Sequence, residues 1–159
     1  MGAYLTERVK VVGCLAPIDA TGAAKTGQWV SLKEYSRVDF IVYVGNMAGS
    51  VTLTVQEANS YTGGGATAIA FTYQKASAGA AGKSVLDGAT TAATSSGITI
   101  TATTDNYKMI VVSLKASDLD QGYNYCTVLT SSPGANAALI TFVALLYDTT
   151  QGAAIPLDP

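Results

Sequence analysis

Apolar and polar residues alternate with a period of two along most of the chain, the mark of strands that bury one face. Between Val38 and Val44 one face reads Val38, Phe40, Val42, Val44 and the other Asp39, Ile41, Tyr43. Gly45-Asn46-Met47-Ala48-Gly49 then supplies turn residues, and from Val51 to Glu57 the apolar set Val51, Leu53, Val55 alternates with Thr52, Thr54, Gln56. These runs predict two strands joined as a hairpin, the second with its apolar face in the core. Beyond a loop at residues 59–65, Thr67, Ile69, Phe71 and Tyr73 oppose Ala66, Ala68 and Ala70, a strand with one bulky face and one flat one. Residues 75–97 are mostly Ala, Gly, Ser and Thr, with Val85 and Leu86 as the sizeable apolar residues, which predicts a long loop. Strand patterns resume at 98–103, 108–114 and 123–130, with one helical or turn-like step at 117–122. The last run, Leu139 to Tyr147, is apolar on both faces, so its strand is expected at the centre of a sandwich or at a subunit interface. Tyr4 to Val12 predicts an opening strand.

Roughly eight to ten short strands separated by turn-rich gaps predict an all-β fold, a β-sandwich, compact barrel or jelly-roll-like domain. The length, 159 residues, is one domain's worth. Its expected organisation is an N-terminal arm and first strand over residues 1–27, a β-core over 28–148 and an extended C-terminal arm over 149–159, where Pro156 and Pro159 oppose a helix. No internal repeat is visible.

Composition narrows the function. Charged residues make up 13% of the chain, about half the usual share of roughly 25%. Histidine is absent, which removes the commonest general base, the commonest zinc ligand and every Ser-His or Cys-His pair. Nine basic residues against eleven acidic ones give a net charge of -2, and the bases are scattered singly from Arg8 to Lys115. Without a basic patch, nucleic acid is not an expected partner. The longest largely apolar run, Ala137 to Leu146, is about half of the roughly 20 residues a spanning helix needs, so no membrane partner is expected either. Met1 to Lys10 hold Glu7, Arg8 and Lys10 and no apolar stretch of signal-peptide length, which points to maturation in a reducing cytoplasm. Cys14 and Cys126 both sit in apolar strand-like contexts and are expected as buried free thiols.

Candidate chemistry is sparse. Ser77-Ala78-Gly79-Ala80-Ala81-Gly82-Lys83-Ser84 resembles a phosphate-cradling loop, but Ser77 stands where glycine is needed, and Val85 to Thr90, with Gly88, does not read as the required helix. Asp118-Leu119-Asp120-Gln121-Gly122 looks like a fragment of a calcium loop, yet no Glu lies beyond Glu57, so a turn with Asx hydrogen bonding is expected. Gly63-Gly64-Gly65 lacks a basic neighbour and reads as a loop tip. Glu7, Glu34 and Glu57 are isolated, which leaves no carboxylate pair for glycoside hydrolysis. Nine tyrosines and Trp29 could line a sugar-binding face, with Tyr123 and Tyr125 on one strand face, although tyrosine is also an ordinary strand and interface residue. The expectation is therefore a non-enzyme with no catalytic, cofactor-binding or metal-ligating residue and no cofactor.

Several segments of the first half carry a family resemblance: Leu15-Ala16-Pro17-Ile18-Asp19, Trp29-Val30-Ser31-Leu32-Lys33-Glu34-Tyr35, Val38-Asp39-Phe40-Ile41-Val42-Tyr43-Val44-Gly45, Val51-Thr52-Leu53-Thr54-Val55-Gln56-Glu57-Ala58 and Ala68-Ile69-Ala70-Phe71. In pattern and composition they resemble the capsid decoration (cement) proteins of tailed bacteriophages. The resemblance implies a β-rich structural virion protein, made in the host cytoplasm, that binds the outside of an expanded capsid and clamps neighbouring major capsid subunits. It also implies self-association, as a homotrimer or homodimer. No motif position transfers a functional residue. Low charge suits such a role, because fewer ionised groups must be desolvated when surfaces meet. The expectation from another class is a carbohydrate- or receptor-binding β-sandwich module, such as a tail-fibre domain.

Overall fold

The computed structural model describes residues 9–77, 79–80 and 83–149. In chain order its strands are β1 (Lys10–Asp19), β2 (Lys25–Thr26), β3 (Val30–Ser31), β4 (Tyr35–Met47), β5 (Val51–Ala58), β6 (Thr67–Ile69), β7 (Phe71–Lys75), β8 (Gly79–Ala80), β9 (Lys83–Ser84), β10 (Thr90–Ala93), β11 (Ile98–Ile100), β12 (Met109–Lys115), β13 (Tyr125–Thr130) and β14 (Ala138–Thr149). A 3-10 turn, Ala116–Asp118, follows β12. The chain is all-β, as the alternation predicts.

Two antiparallel sheets form the body. The first has the order β1-β14-β4-β12-β7-β10; the second has the order β11-β5-β13-β2, with β3 also pairing β13 and β6 also pairing β5. β8 and β9 make a separate two-stranded ribbon. The inward faces are the ones the alternation marks. Val38, Phe40, Val42, Val44, Ile110, Val112, Leu114, Ile140, Phe142, Ala144 and Leu146 from the first sheet meet Val51, Leu53, Val55, Ile100, Cys126 and Val128 from the second in one buried cluster. This is a β-sandwich, whose facing sheets lie about 10 Å apart. Each fully buried Val, Leu, Ile or Phe contributes about 1.5–3 kcal/mol.

The expected hairpin between the runs at 38–44 and 51–57 is not formed. β4 pairs β12 and β14 in the first sheet, whereas β5 pairs β11, β13 and β6 in the second. Residues 48–50 therefore cross the sandwich. The physical reason is that each strand carries a complete apolar face, and opposing those faces across the core buries both. The crossing is fixed against the neighbouring β13–β14 connection: the Ala48 N–H donates to the Ala137 carbonyl at 2.8 Å and the Ser131 N–H to that of Thr52 at 2.9 Å. Gly49 is needed there, since a Cβ would come within 2.7 Å of the Pro133 carbonyl and of Asn136 Cβ.

Three other expectations shift. The opening strand lies at Lys10–Asp19 rather than at 4–12, and its pairing with β14 slips between Gly13 and Leu15 and again between Leu15 and Ile18, where Pro17 breaks the ladder. The expected strand start at Tyr4 falls outside the described residues, as do residues 1–8 and 150–159 of the two expected arms. The stretch 75–97 is not all loop: β10 pairs β7 through Thr90–Gln74, Thr91–Tyr73, Ala92–Thr72 and Ala93–Phe71. Finally, β14 lies second from an edge with only one face in the core.

Candidate functional site

The fold disperses the motif-like segments. Lys83 and Ser84 lie in β9, so a strand rather than a helix follows the glycine-rich stretch, and the phosphate-cradling geometry is not built. Residues 78, 81 and 82 of that stretch lie outside the described residues. Asp87 is instead a local clasp, accepting the Ser77 N–H at 2.9 Å and the Ser77 hydroxyl at 2.8 Å; those bonds hold its carboxyl below the usual range. Asp118 turns back to accept the Lys115 N–H at 2.8 Å, so it caps the 3-10 turn. Among the described residues no group of three or more His, Cys, Asp and Glu side chains is placed to hold a metal ion.

Glu57 does reach the Asp118–Gly122 segment, although it is remote in sequence. Its Oε2 accepts the Asp120 N–H at 2.8 Å, while Oε1 is buried with no hydrogen-bond partner. Burial, with the nearby Asp120 carboxylate, pushes the Glu57 carboxyl above its ordinary value despite the Asp120 N–H. A second buried carboxylate, Asp105, ties the loop before β12. It accepts from Lys75 Nζ at 2.8 Å, Lys108 Nζ at 3.3 Å and the Thr101 N–H at 2.8 Å. Burial alone would raise its pKa, but these donors and the lysine charges outweigh it and hold the group below the usual range. The same loop carries Thr103 and Tyr107 at φ 73° and 61°, left-handed conformations that a side chain adopts only when its surroundings enforce them.

The aromatic residues split into separate uses. A groove of about 460 Å³ opens between the edges of the two sheets, lined by Lys10, Val12, Trp29, Lys33, Glu34 and Leu146 among others. Trp29 lies against Gly63, whose Cβ position is 2.8 Å from the indole Nε1. Lys33 Nζ sits over the Tyr125 ring at 5.4 Å from its centroid. One ring face of Tyr125 is thus taken by a cation from the same chain. Cys14 and Cys126 are free and buried; burial raises both thiols, Cys14 to about 11, so neither offers a thiolate at neutral pH.

What remains is the contrast between the two outward faces. On the second sheet, Thr52, Thr54, Gln56 and Thr99 point outward, the polar dress that the alternation predicts. On the first, the register aligns Val143, Ile41 and Val111 in one row, Val11 and Leu145 with Asp39 and Ser113 in the next, and Tyr43 and Met109 with Thr141 on the other side. None of these side chains belongs to the core or to the residues packed against it, and Val11 and Leu139 keep 47% and 46% of their exposure. The two-sided apolar run at 139–147 was the sequence signal for this face; Ile41 and Val111 complete it only once strand order is known. The chain matches no known family model, no curated protein and no solved structure.

Proposed function

We propose that this chain is a structural virion protein, a capsid decoration protein of a tailed bacteriophage that binds the outer surface of the shell and stabilises contacts between major capsid subunits. The observation that carries the reading is the strand order. The set β1-β14-β4-β12 lies opposite β2-β13-β5-β11, and consecutive core strands alternate between the sheets except at the β5–β11 step, which the inserted β6–β10 segment bridges. We read this as a jelly roll, two interleaved Greek keys, with β7 and β10 extending one edge; viral shells and lectins both use it.

A fold hosts many functions, so the surfaces discriminate between these two uses. A sugar platform needs several open aromatic faces side by side, whereas one face of Tyr125 carries Lys33 and Trp29 packs on Gly63, leaving Tyr61 as the strongly exposed ring among the described residues. A clamp between shell subunits needs broad, weakly charged contact area, which suits a chain with only 13% charged residues. β1 is also an edge strand of the first sheet among the described residues, and a sheet edge is where a neighbour's strand could add.

Mixing the purified chain with expanded capsids lacking it tests the reading. The expected result is cosedimentation and a higher temperature of DNA release; capsids that sediment bare and melt unchanged contradict it. Deleting residues 1–8 leaves β1 whole and isolates the role of the N-terminal segment.

A further inference from the structure

We infer that the outward face of the first sheet is a homotypic docking face, on which a second copy of this chain packs sheet to sheet about a two-fold axis. The face consists of Val11, Ile41, Tyr43, Val111, Val143 and Leu145, contributed by the four adjacent strands β1, β14, β4 and β12. Leu139 extends it and is 46% exposed.

Its size fits a stable dimer. Four strands at a spacing of about 4.8 Å, over the roughly nine residues from Leu139 to the row of Tyr147 and Arg37 at about 3.4 Å each, cover roughly 600 Å² with the charged end included. Two such faces bury roughly 1,200 Å², the lower bound for specific protein interfaces.

Its chemistry fits a copy of itself better than a different partner. The central row of Val143, Ile41 and Val111 carries no ionised side chain, so two copies meet there without repulsion. Ionised groups lie toward one end: Asp39 shares its row with Leu145, Val11 and Ser113, and Arg37, Lys115 and Tyr147 form the row beyond it. There Arg37 pairs Asp39 at 2.5 Å and lies over the Tyr147 ring at 5.1 Å from its centroid. An apolar centre with a charged border is the anatomy of an interface. A two-fold contact between identical flat faces sets apolar rows on apolar rows, and it closes, so the product is a discrete dimer rather than a fibre.

The inference deepens the self-association contained in the functional reading, and its test separates the two. Sedimentation equilibrium of the full chain at micromolar concentration is expected to give twice the chain mass of 16.2 kDa. Val143→Lys, at the centre of the face, is expected to give a single chain mass with an unchanged far-ultraviolet circular dichroism spectrum. Val143→Thr, which keeps volume and strand preference, weakens the dimer at least tenfold and serves if the lysine variant does not fold. Thr54→Lys, on the opposite outward face, leaves the dimer intact. A wild-type chain that stays monomeric, or a folded Val143→Lys that stays dimeric, overturns the inference. If the monomeric wild type instead binds capsids and Val143→Lys does not, the face belongs to the capsid partner and the dimer is refuted while the functional reading stands.

Discussion

Glu57 and Asp105 are both removed from water and respond in opposite ways. Asp105 is surrounded by donors, from Lys75, Lys108 and the Thr101 N–H, so its folded pKa lies below the ordinary 3.8. Its contribution is complete above that value and is lost as pH falls through the lowered pKa. Glu57 has one donor for two oxygens, and its folded pKa lies above the ordinary 4.5. The native state then holds a proton that the unfolded chain has released, so stability falls as pH rises from about 4.5 through the raised value. Thermal unfolding against pH checks both signs. Glu57→Gln is expected to flatten the fall on the alkaline side and to raise the midpoint at neutral pH. Asp105→Asn is expected to flatten the acid side and to lower neutral stability by about 3 kcal/mol, because two lysines lose their buried counter-charge. A loss of neutral stability in Glu57→Gln would contradict this account of the orphaned oxygen.

At the scale of elements, strands differ in how much of the core they hold. β14 lies between β1 and β4 and sends Ile140, Phe142, Ala144 and Leu146 inward; β10 is an edge strand with Thr90, Thr91 and Ala92 exposed. Phe142→Ala is accordingly expected to cost about 3–5 kcal/mol, whereas Thr91→Ala stays within about 0.5 kcal/mol, as urea unfolding midpoints would report. This difference also governs what the sequence could reveal. β5 was legible almost to the residue, since Val51, Leu53 and Val55 must be inside and their neighbours outside. β10 left no pattern because it buries almost nothing, and β2 and β3 are two residues each, too short to alternate. β1 hid behind its bulges and Pro17. Pairing was not legible either: alternation says which face of β4 and β5 is buried, but not whether the two share a sheet. Of the candidate site, the two-sided run at 139–147 announced itself, while the Glu57–Asp120 contact, which joins two segments across the fold, left no local signal.

For the whole molecule, low charge and the absence of histidine gain meaning once the faces are distinguished. The threonine-dressed face of the second sheet suits water, and the apolar face of the first suits a protein neighbour. Pairing two copies through that face would leave edge strand β1 and the terminal segments to spread attachment over many modest contacts, each gaining effective concentration from the others. The most direct test is an electron cryomicroscopy map of purified particles containing the chain. The account predicts density for a two-sheet sandwich on the outer capsid surface, at sites where neighbouring major capsid subunits meet. Density for the same sandwich at the tail tip or in a fibre, with a bare outer capsid, would contradict it.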